Sequence, residues 1–299
     1  MHTDMPIHAD EALTETQIVD YIALLKPGVM SLVVFTGLAG LWIAPGLDAM
    51  HPFLAFMSIV ALTIGSGAAG AVNMWAEAGL DARMRRTAKR PLPQGRIAPD
   101  DALGLGIFLS ILSIVMMALA ANWLAAFLLA VANLYYVFVY TLWLKPRTPQ
   151  NIVVGGAAGA FPPVIGWAAV TGGVDILPLI LFAIIFMWTP PHFWALALFS
   201  HEDYERAGLP MLPNVAGVRA TKIQMLIYAL LLAPLALAPW FLGYAGALYG
   251  GIAGILSTMF VIAAVRVMQE RSKKAAKLMF GYSVFYLFAL FLALMLTAG

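Results

Sequence analysis

The sequence predicts an all-α polytopic membrane protein: nine transmembrane helices around a central cavity, with a cytoplasmic N-terminus. Three observations carry this reading. Of 299 residues, 62% are apolar and only 11% charged, against about 45–50% and about 25% in soluble domains; the chain lacks the polar residues to coat a water-soluble core. The apolar residues gather in continuous runs of about 20, long enough to cross a bilayer, without the short alternating segments of a transmembrane barrel. Finally, the basic residues fall on one side only. The absence of cysteine excludes disulfides, thiolate metal sites and a cysteine nucleophile.

The N-terminal arm, residues 1–25, is polar and acidic (Asp4, Asp10, Glu11, Glu15, Asp20). It lacks the basic start, apolar stretch and cleavage site of a secretory signal. It reads as a mobile tail leading into a short amphipathic surface segment, Ile18 to Leu25. Lys26-Pro27 opens the membrane domain, residues 26–299, with proline in the first helical turn. Spans are expected at 28–46, 53–76, 102–121, 123–144, 152–171, 176–199, 222–241, 244–265 and 277–297. Pro162-Pro163, Pro190-Pro191 and Pro234 interrupt some of them, as membrane helices tolerate when neighbours satisfy the freed backbone groups.

Nine spans place alternate loops on opposite sides. All 17 Lys and Arg lie in or beside the arm and the loops around 78–101, 145–151, 200–221 and 266–276. The other set of loops (47–52, 122, 172–175, 242–243) and the C-terminus have none. The positive-inside rule then makes the first set cytoplasmic and puts the C-terminus on the outer face of a cell inner membrane.

Two of the cytoplasmic loops are long, and both follow an even-numbered span. Long loops in compact folds are usually functional. The first begins with Asn73, Glu77 and Asp81 at i, i+4, i+8, one helix face extending over roughly 12 Å. Three oxygen-bearing side chains in a row suit Mg²⁺, which takes one or two carboxylates and completes its shell with water and substrate phosphate oxygens. Five cations follow within eight residues (Arg83, Arg85, Arg86, Lys89, Arg90), enough to neutralise a phosphate group. A basic loop also follows from membrane orientation alone. The acidic row is less easily dismissed, because ionisable groups at or inside the interface are costly and tend to mark functional sites.

The second long loop carries Glu202 and Asp203 at a helix end, with His192 about 15 Å deeper on the same helix, beside a helix-breaking Thr189-Pro190-Pro191. A histidine in an apolar run is either a hydrogen-bonded packing residue or a ligand, and the residues alone leave both open. Two carboxylate-bearing helix ends, four spans apart and facing one compartment, imply an internal duplication of a helical bundle. Their carboxylates would converge over one cavity, clamping a diphosphate through a metal.

These motifs resemble the intramembrane prenyltransferase family of the UbiA type, over nearly the whole chain. The most specific pieces are Asn73-x3-Glu77-x3-Asp81-x2-Met84-x-Arg86-Thr87-x2-Arg90-Pro91-Leu92, Thr189-Pro-Pro-His192-Phe-Trp194-Ala-Leu-Ala and Asp203-Tyr204-x3-Gly208-x-Pro210-Met211-Leu-Pro213. The first marks the superfamily; the other two point to its heme-modifying branch. The family's first acidic position is usually Asp, and here it is Glu77, one methylene longer. Gly79 and Ala76 stand where polar residues are common.

The resemblance implies a Mg²⁺-dependent enzyme whose cavity opens sideways to lipid under the two cytoplasmic loops. Farnesyl diphosphate would meet Mg²⁺ held by Asn73, Glu77, Asp81 and Asp203, with Glu202 a further candidate ligand. Arg83, Arg86, Lys89 and Arg90 would be the counter-charges. The farnesyl cation would be attacked by a vinyl group of heme b, a substrate rather than a cofactor, and quenched by water to give heme O. Trp188, Phe193, Trp194, Tyr135 and Tyr136 are candidates to shield the cation or simply to pack the bundle. His192, Trp194, Lys145 and Arg147 are the candidate heme contacts. The pathway suggests a heme A synthase or a terminal oxidase as partner; no nucleic acid is expected. Two alternatives remain at this stage: another prenyltransferase of the superfamily with a quinone precursor or chlorophyll-like acceptor, and a repeat-built transporter. Against the transporter, no span carries a lone charge at its centre.

Overall fold

The computed structural model describes residues 17–270 and 272–297, and every regular element among them is helical. The acidic arm as far as residue 16 lies outside the described residues. The elements are α1 (Ile18–Leu24), α2 (Pro27–Trp42), a 3-10 turn (Leu47–Ala49), α3 (Pro52–Ala76), α4 (Ala78–Asp81), α5 (Pro99–Ala120) and α6 (Trp123–Leu134), which continues into a π-helical segment (Tyr135–Leu144). Then follow α7 (Asn151–Gly155), α8 (Ala157–Ala160), α9 (Pro162–Thr171), α10 (Ile176–Phe199), α11 (His201–Arg206), α12 (Leu212–Val215), α13 (Gly217–Phe241), α14 (Ala247–Gln269) and α15 (Lys273–Thr297).

Proline opens α2, α3 and α5, where its missing N–H has no helical acceptor to lose. Among the described residues, eight stretches are long and apolar enough to span, and the bent pair α1–α2, counted as one span, makes nine. The first span ends sooner than expected. α2 stops at Trp42, and its 16 residues rise only about 24 Å. α1 continues it after a 53° bend, with Ile18, Val19 and Ile22 turned outward and Asp20 buried and paired to Arg96. Asp20 is therefore anchored to the first long loop.

Two rings of four make up the body. In the first, α3, α5, α6 and α9 enclose Ala61, Leu62, Met117, Leu129 and Ile165. In the second, α10, α13, α14 and α15 enclose a core rich in aromatics, including Trp194, Tyr249, Phe260, Tyr286 and Phe291. α2 joins the rings, packing on α9 and α3 on one side and α15 on the other. The long loops follow α3 and α10, the first member of each ring, which is the arrangement a duplicated bundle produces. The outer faces expose Phe108, Leu119, Phe127, Ile255 and Phe285, an apolar girdle that only lipid would cover without aggregation.

The fifth span is broken into α7, α8 and α9 near Gly155, Gly156 and Pro162, yet it is the most enclosed of all. Its contact with α2 runs backbone to backbone. A Cβ on Gly166 would stand 2.0 Å from the Gly37 carbonyl oxygen, and one on Gly40 would stand 2.1 Å from that of Pro163. Small residues allow this approach in membrane bundles. α10, by contrast, runs unbroken through Pro190 and Pro191, contrary to the expected break. It ends at Phe199, so Glu202 and Asp203 sit on a separate helix, α11, and not on the helix of His192.

At the basic end, the two long loops close on each other. Leu80 and Met84 of the first pack with Tyr204, Ala207, Leu209 and Met211 of the second. Lys273 at the start of α15 pairs with Glu202 at 2.7 Å. At the opposite end, the Asn122 side chain accepts from Ala125 N and donates to the carbonyls of Ala168 and Ala169, tying α6 to α9.

Candidate active site

The acidic row is built at the seam of α3 and α4. Glu77 N donates to Asn73 O at 3.0 Å and Asp81 N to Glu77 O at 2.7 Å, so the chain keeps helical spacing across the break and the three side chains stay in line. All three are buried, at 2%, 5% and 0% exposure for Asn73, Glu77 and Asp81. Burying two carboxylates demands partners, and these come from neighbouring elements.

The π-helical segment faces the row. Lys145 N bonds Tyr140 O, and Thr141 Oγ1 donates to Tyr136 O, each five residues back. Thr141 and Lys145 then form a second i, i+4 pair, running parallel to the first. Asn73 Nδ2 donates to Thr141 Oγ1 and to Glu77 Oε1, both at 2.9 Å, and Lys145 Nζ donates to Glu77 Oε1 at 2.5 Å. π-helical turns recur at functional sites. Lys26 closes the other side by donating to Asn73 Oδ1. Its backbone is left-handed, with φ 53°, a conformation costly for a residue with a Cβ.

Burial alone would raise the Glu77 carboxyl, but Lys145 and Lys26 hold it below the ordinary carboxylate value. Burial pulls the Lys145 ammonium down, and Glu77 more than reverses that.

Asp81 is held differently. Its Oδ2 accepts from Arg90 at 2.6 Å, and Thr87 Oγ1 donates to its backbone carbonyl. Its Oδ1 is buried and has no hydrogen-bond partner. A buried carboxylate oxygen without a donor is costly, and a hard cation is a partner that suits it. The donor set therefore fits a divalent ion on Asp81, with the remaining positions left for water or phosphate.

The five expected metal ligands are not gathered into one cluster. No group of three acidic or histidine side chains able to hold a metal occurs among the described residues. Asp203 pairs with Arg206 on its own helix. Glu202, with its side chain 69% exposed, pairs with Lys273. Of the expected diphosphate residues, Arg90 reaches the row, while Arg83, Arg86 and Lys89 are exposed on the loop. Lys145, a candidate heme contact in the sequence, sits against Glu77 instead. Arg147 caps the carbonyls of Leu142 and Trp143. Lys26 and Thr141 were not singled out from the sequence for this site. The Lys26-Pro27 pair gave a signal as a helix start only, and Thr141 gave none.

His192 lies in the second ring, stacked between Trp188 and Phe280 with ring centroids 4.3 and 4.6 Å away. Its Nδ1 meets Ser283 Oγ at 2.6 Å, and Ser283 Oγ donates to Phe280 O. The single hydroxyl proton is thereby used, so Nδ1 carries the imidazole proton and Nε2 keeps a lone pair. Trp188 Nε1 donates to Ser283 O, fixing the other wall of the slot. Trp194 is fully buried in the second core, edge-on to Tyr228, and its buried indole N–H has no hydrogen-bond acceptor.

A model of the UbiA prenyltransferase family matches residues 33–295. This chain belongs to that family. UbiA members similar to it include the protoheme IX farnesyltransferase of Erythrobacter litoralis, 54% identical over 92% of this chain and 91% of the relative, and that of Agrobacterium fabrum, 55% identical over 98% and 93%. Among solved structures, the fold is shared with a UbiA homolog from Aeropyrum pernix (TM-score 0.69, 19% identity, 91% of this chain and 98% of that one). It is also shared with a UbiA homolog from Archaeoglobus fulgidus solved with GPP and Mg²⁺ (TM-score 0.66, 17% identity, 92% and 99%).

Proposed function

We propose that this chain transfers the farnesyl group of farnesyl diphosphate to a vinyl group of heme b, with addition of water, giving heme O. The observation that carries the reading is the buried, unpartnered Asp81 Oδ1 in a row flanked by Lys26, Lys145 and Arg90, in a chain over half identical to protoheme IX farnesyltransferases along nearly its whole length.

Asp81, with Asn73 and Glu77 in the same row, would hold Mg²⁺; Asp203 is the candidate ligand from the second loop. When bound, the ion supplies Lewis-acid stabilisation of the diphosphate leaving group. Lys26, Lys145 and Arg90 oppose the negative charge that builds on the departing oxygen, with no reorganisation needed at the moment of reaction. The farnesyl C1–O bond breaks and its electron pair leaves with diphosphate. The vinyl π electrons form the new bond to C1. The cation left beside the porphyrin ring takes a water oxygen and releases a proton. Met84 and Leu80, packed under the second loop, keep bulk water from the allylic cation.

His192 in its Nδ1–H form keeps the Nε2 lone pair as a candidate contact for heme. The basic loops face the cytoplasm, the C-terminus lies outside, and the bilayer is the cell inner membrane; the product passes to a heme A synthase or a terminal oxidase.

The test is incubation of the purified protein with heme b, farnesyl diphosphate and Mg²⁺, followed by mass analysis of the extracted heme. A product heavier by one farnesyl group and one hydroxyl group is expected. Unmodified heme after full turnover conditions sinks the proposal.

A further inference from the structure

At the end opposite the basic loops, the seam between the two rings opens into a cleft of about 560 Å³ walled by Trp42, Trp167, Leu177 and Tyr244, with Asp175 at its edge. That volume lies within the range of about 300–1,000 Å³ of small-ligand sites. The walls come from both halves of the molecule. Trp42 ends α2, Trp167 is in α9, Asp175 precedes α10, and Tyr244 sits in the turn between α13 and α14.

Asp175 stands at the N-cap of α10, where an aspartate ordinarily accepts a bond from the first helical turn. Here it makes no such bond. It has no ion-pair partner among the described residues, and all 17 Lys and Arg belong to the other end. A solitary carboxylate beside three aromatic side chains is a site for an organic cation: the carboxylate supplies charge, and the ring faces attract an ammonium that has shed part of its water. In the same wall, the Trp167 indole N–H is buried and lacks an acceptor. Around the mouth, Ile176, Leu179, Phe241 and Leu242 are exposed, so a ligand with acyl chains finds apolar surface directly beside its headgroup.

We propose that this cleft binds the headgroup of an amine-bearing zwitterionic phospholipid, its ammonium against Asp175 and the aromatic walls and its phosphate oxygen accepting from Trp167. No Lys or Arg lies at this end, so a purely anionic headgroup finds no permanent cation there to pair with. The bound lipid would fill the seam and hold the rings together from the side remote from the chemistry.

Native mass spectrometry of the full chain released from mixed phosphatidylethanolamine–phosphatidylglycerol vesicles tests this. Retention of one phosphatidylethanolamine per chain is expected, with its apparent affinity reduced by about tenfold in Asp175→Asn and restored in Asp175→Glu. Asp175 is exposed, and unchanged elution of Asp175→Asn as a monodisperse species checks that the fold is kept. Trp167→Phe, which keeps the ring and deletes the donor, should lower retention to a smaller extent. Equal retention of the two lipids, or full phosphatidylethanolamine retention by Asp175→Asn, overturns the proposal.

Discussion

At the scale of single residues, the site is a set of buried charges whose neutrality is local, and each charge has a different exposure to substitution. Asp81 has one oxygen committed to Arg90 and one without a partner. Asp81→Asn keeps the volume and removes the charge. It should lower the rate of prenyl transfer by at least about 10³-fold while leaving insertion and the helix content by circular dichroism unchanged; near-normal turnover would remove Asp81 from the metal site. Lys145 answers for Glu77. Lys145→Met strands a buried carboxylate and should destabilise the protein by about 3–5 kcal/mol, visible in thermal unfolding, and Glu77→Gln in the same chain should recover most of the loss.

The pH dependence has a definite sign. Glu77 is held below its unfolded value of 4.5, so its contribution to stability is complete above that value and is lost as pH falls through the folded one. The stability gap between the parent and Glu77→Gln should therefore narrow on acidification; a gap that widens contradicts the pairing with Lys145. The row itself was legible in the sequence because carboxylates at i, i+4 on an apolar helix are costly without a purpose. Their partners Lys26 and Thr141 were not, because one stands before a proline turn and the other in an uninterrupted apolar run, where nothing in composition separates a buried hydrogen-bonding threonine from any other.

At the scale of elements, the departures from expectation have backbone causes. The π-helical segment cannot be read from Tyr135–Leu144, since one extra residue per turn leaves the apolar pattern intact while rotating Thr141 and Lys145 onto the face of α3. The unbroken course of α10 through two prolines shows that a neighbour-packed membrane helix can absorb them. The α2–α9 contact makes the sharpest demand on sequence. At Gly40 and Gly166 any side chain meets a carbonyl of the facing backbone at 2.1 and 2.0 Å, a distance that neither helix can yield by rotating a side chain. Gly166→Ala should cost about 1–3 kcal/mol or more and lower thermal stability in detergent, while Gly159→Ala, where a Cβ meets nothing within 4 Å, should be near neutral. Equal melting of the two variants would show that the backbone contact is not maintained in the membrane.

At the scale of the whole molecule, composition and the one-sided basic residues made the architecture legible: continuous apolar runs, their number and their alternation follow from the cost of placing backbone and charge in hydrocarbon. The mutual packing of the long loops through Met84, Tyr204 and Leu209 was less so, since the duplication suggests that the loops meet without saying which apolar residues join them. The orientation is open to direct measurement. The chain has no cysteine, so Arg85→Cys and Asp48→Cys give clean single-thiol proteins. An impermeant maleimide added to intact cells should label Asp48→Cys alone, and added to inverted vesicles should label Arg85→Cys alone; the reverse pattern would invert the topology.

The polar row of the candidate site and its partners, Lys26, Asn73, Glu77, Asp81, Arg90 and Lys145, all precede the turn at 172–175, whereas the aromatic slot of Trp188, His192, Phe280 and Ser283 lies wholly after it. On the proposed function, donor activation would rest chiefly on the earlier stretch, with Asp203 the one candidate ligand from the later stretch, and acceptor choice would rest on the later stretch. A chimera that joins residues 1–173 to the later half of a relative with a different acceptor should keep its appetite for farnesyl diphosphate and change only what it decorates.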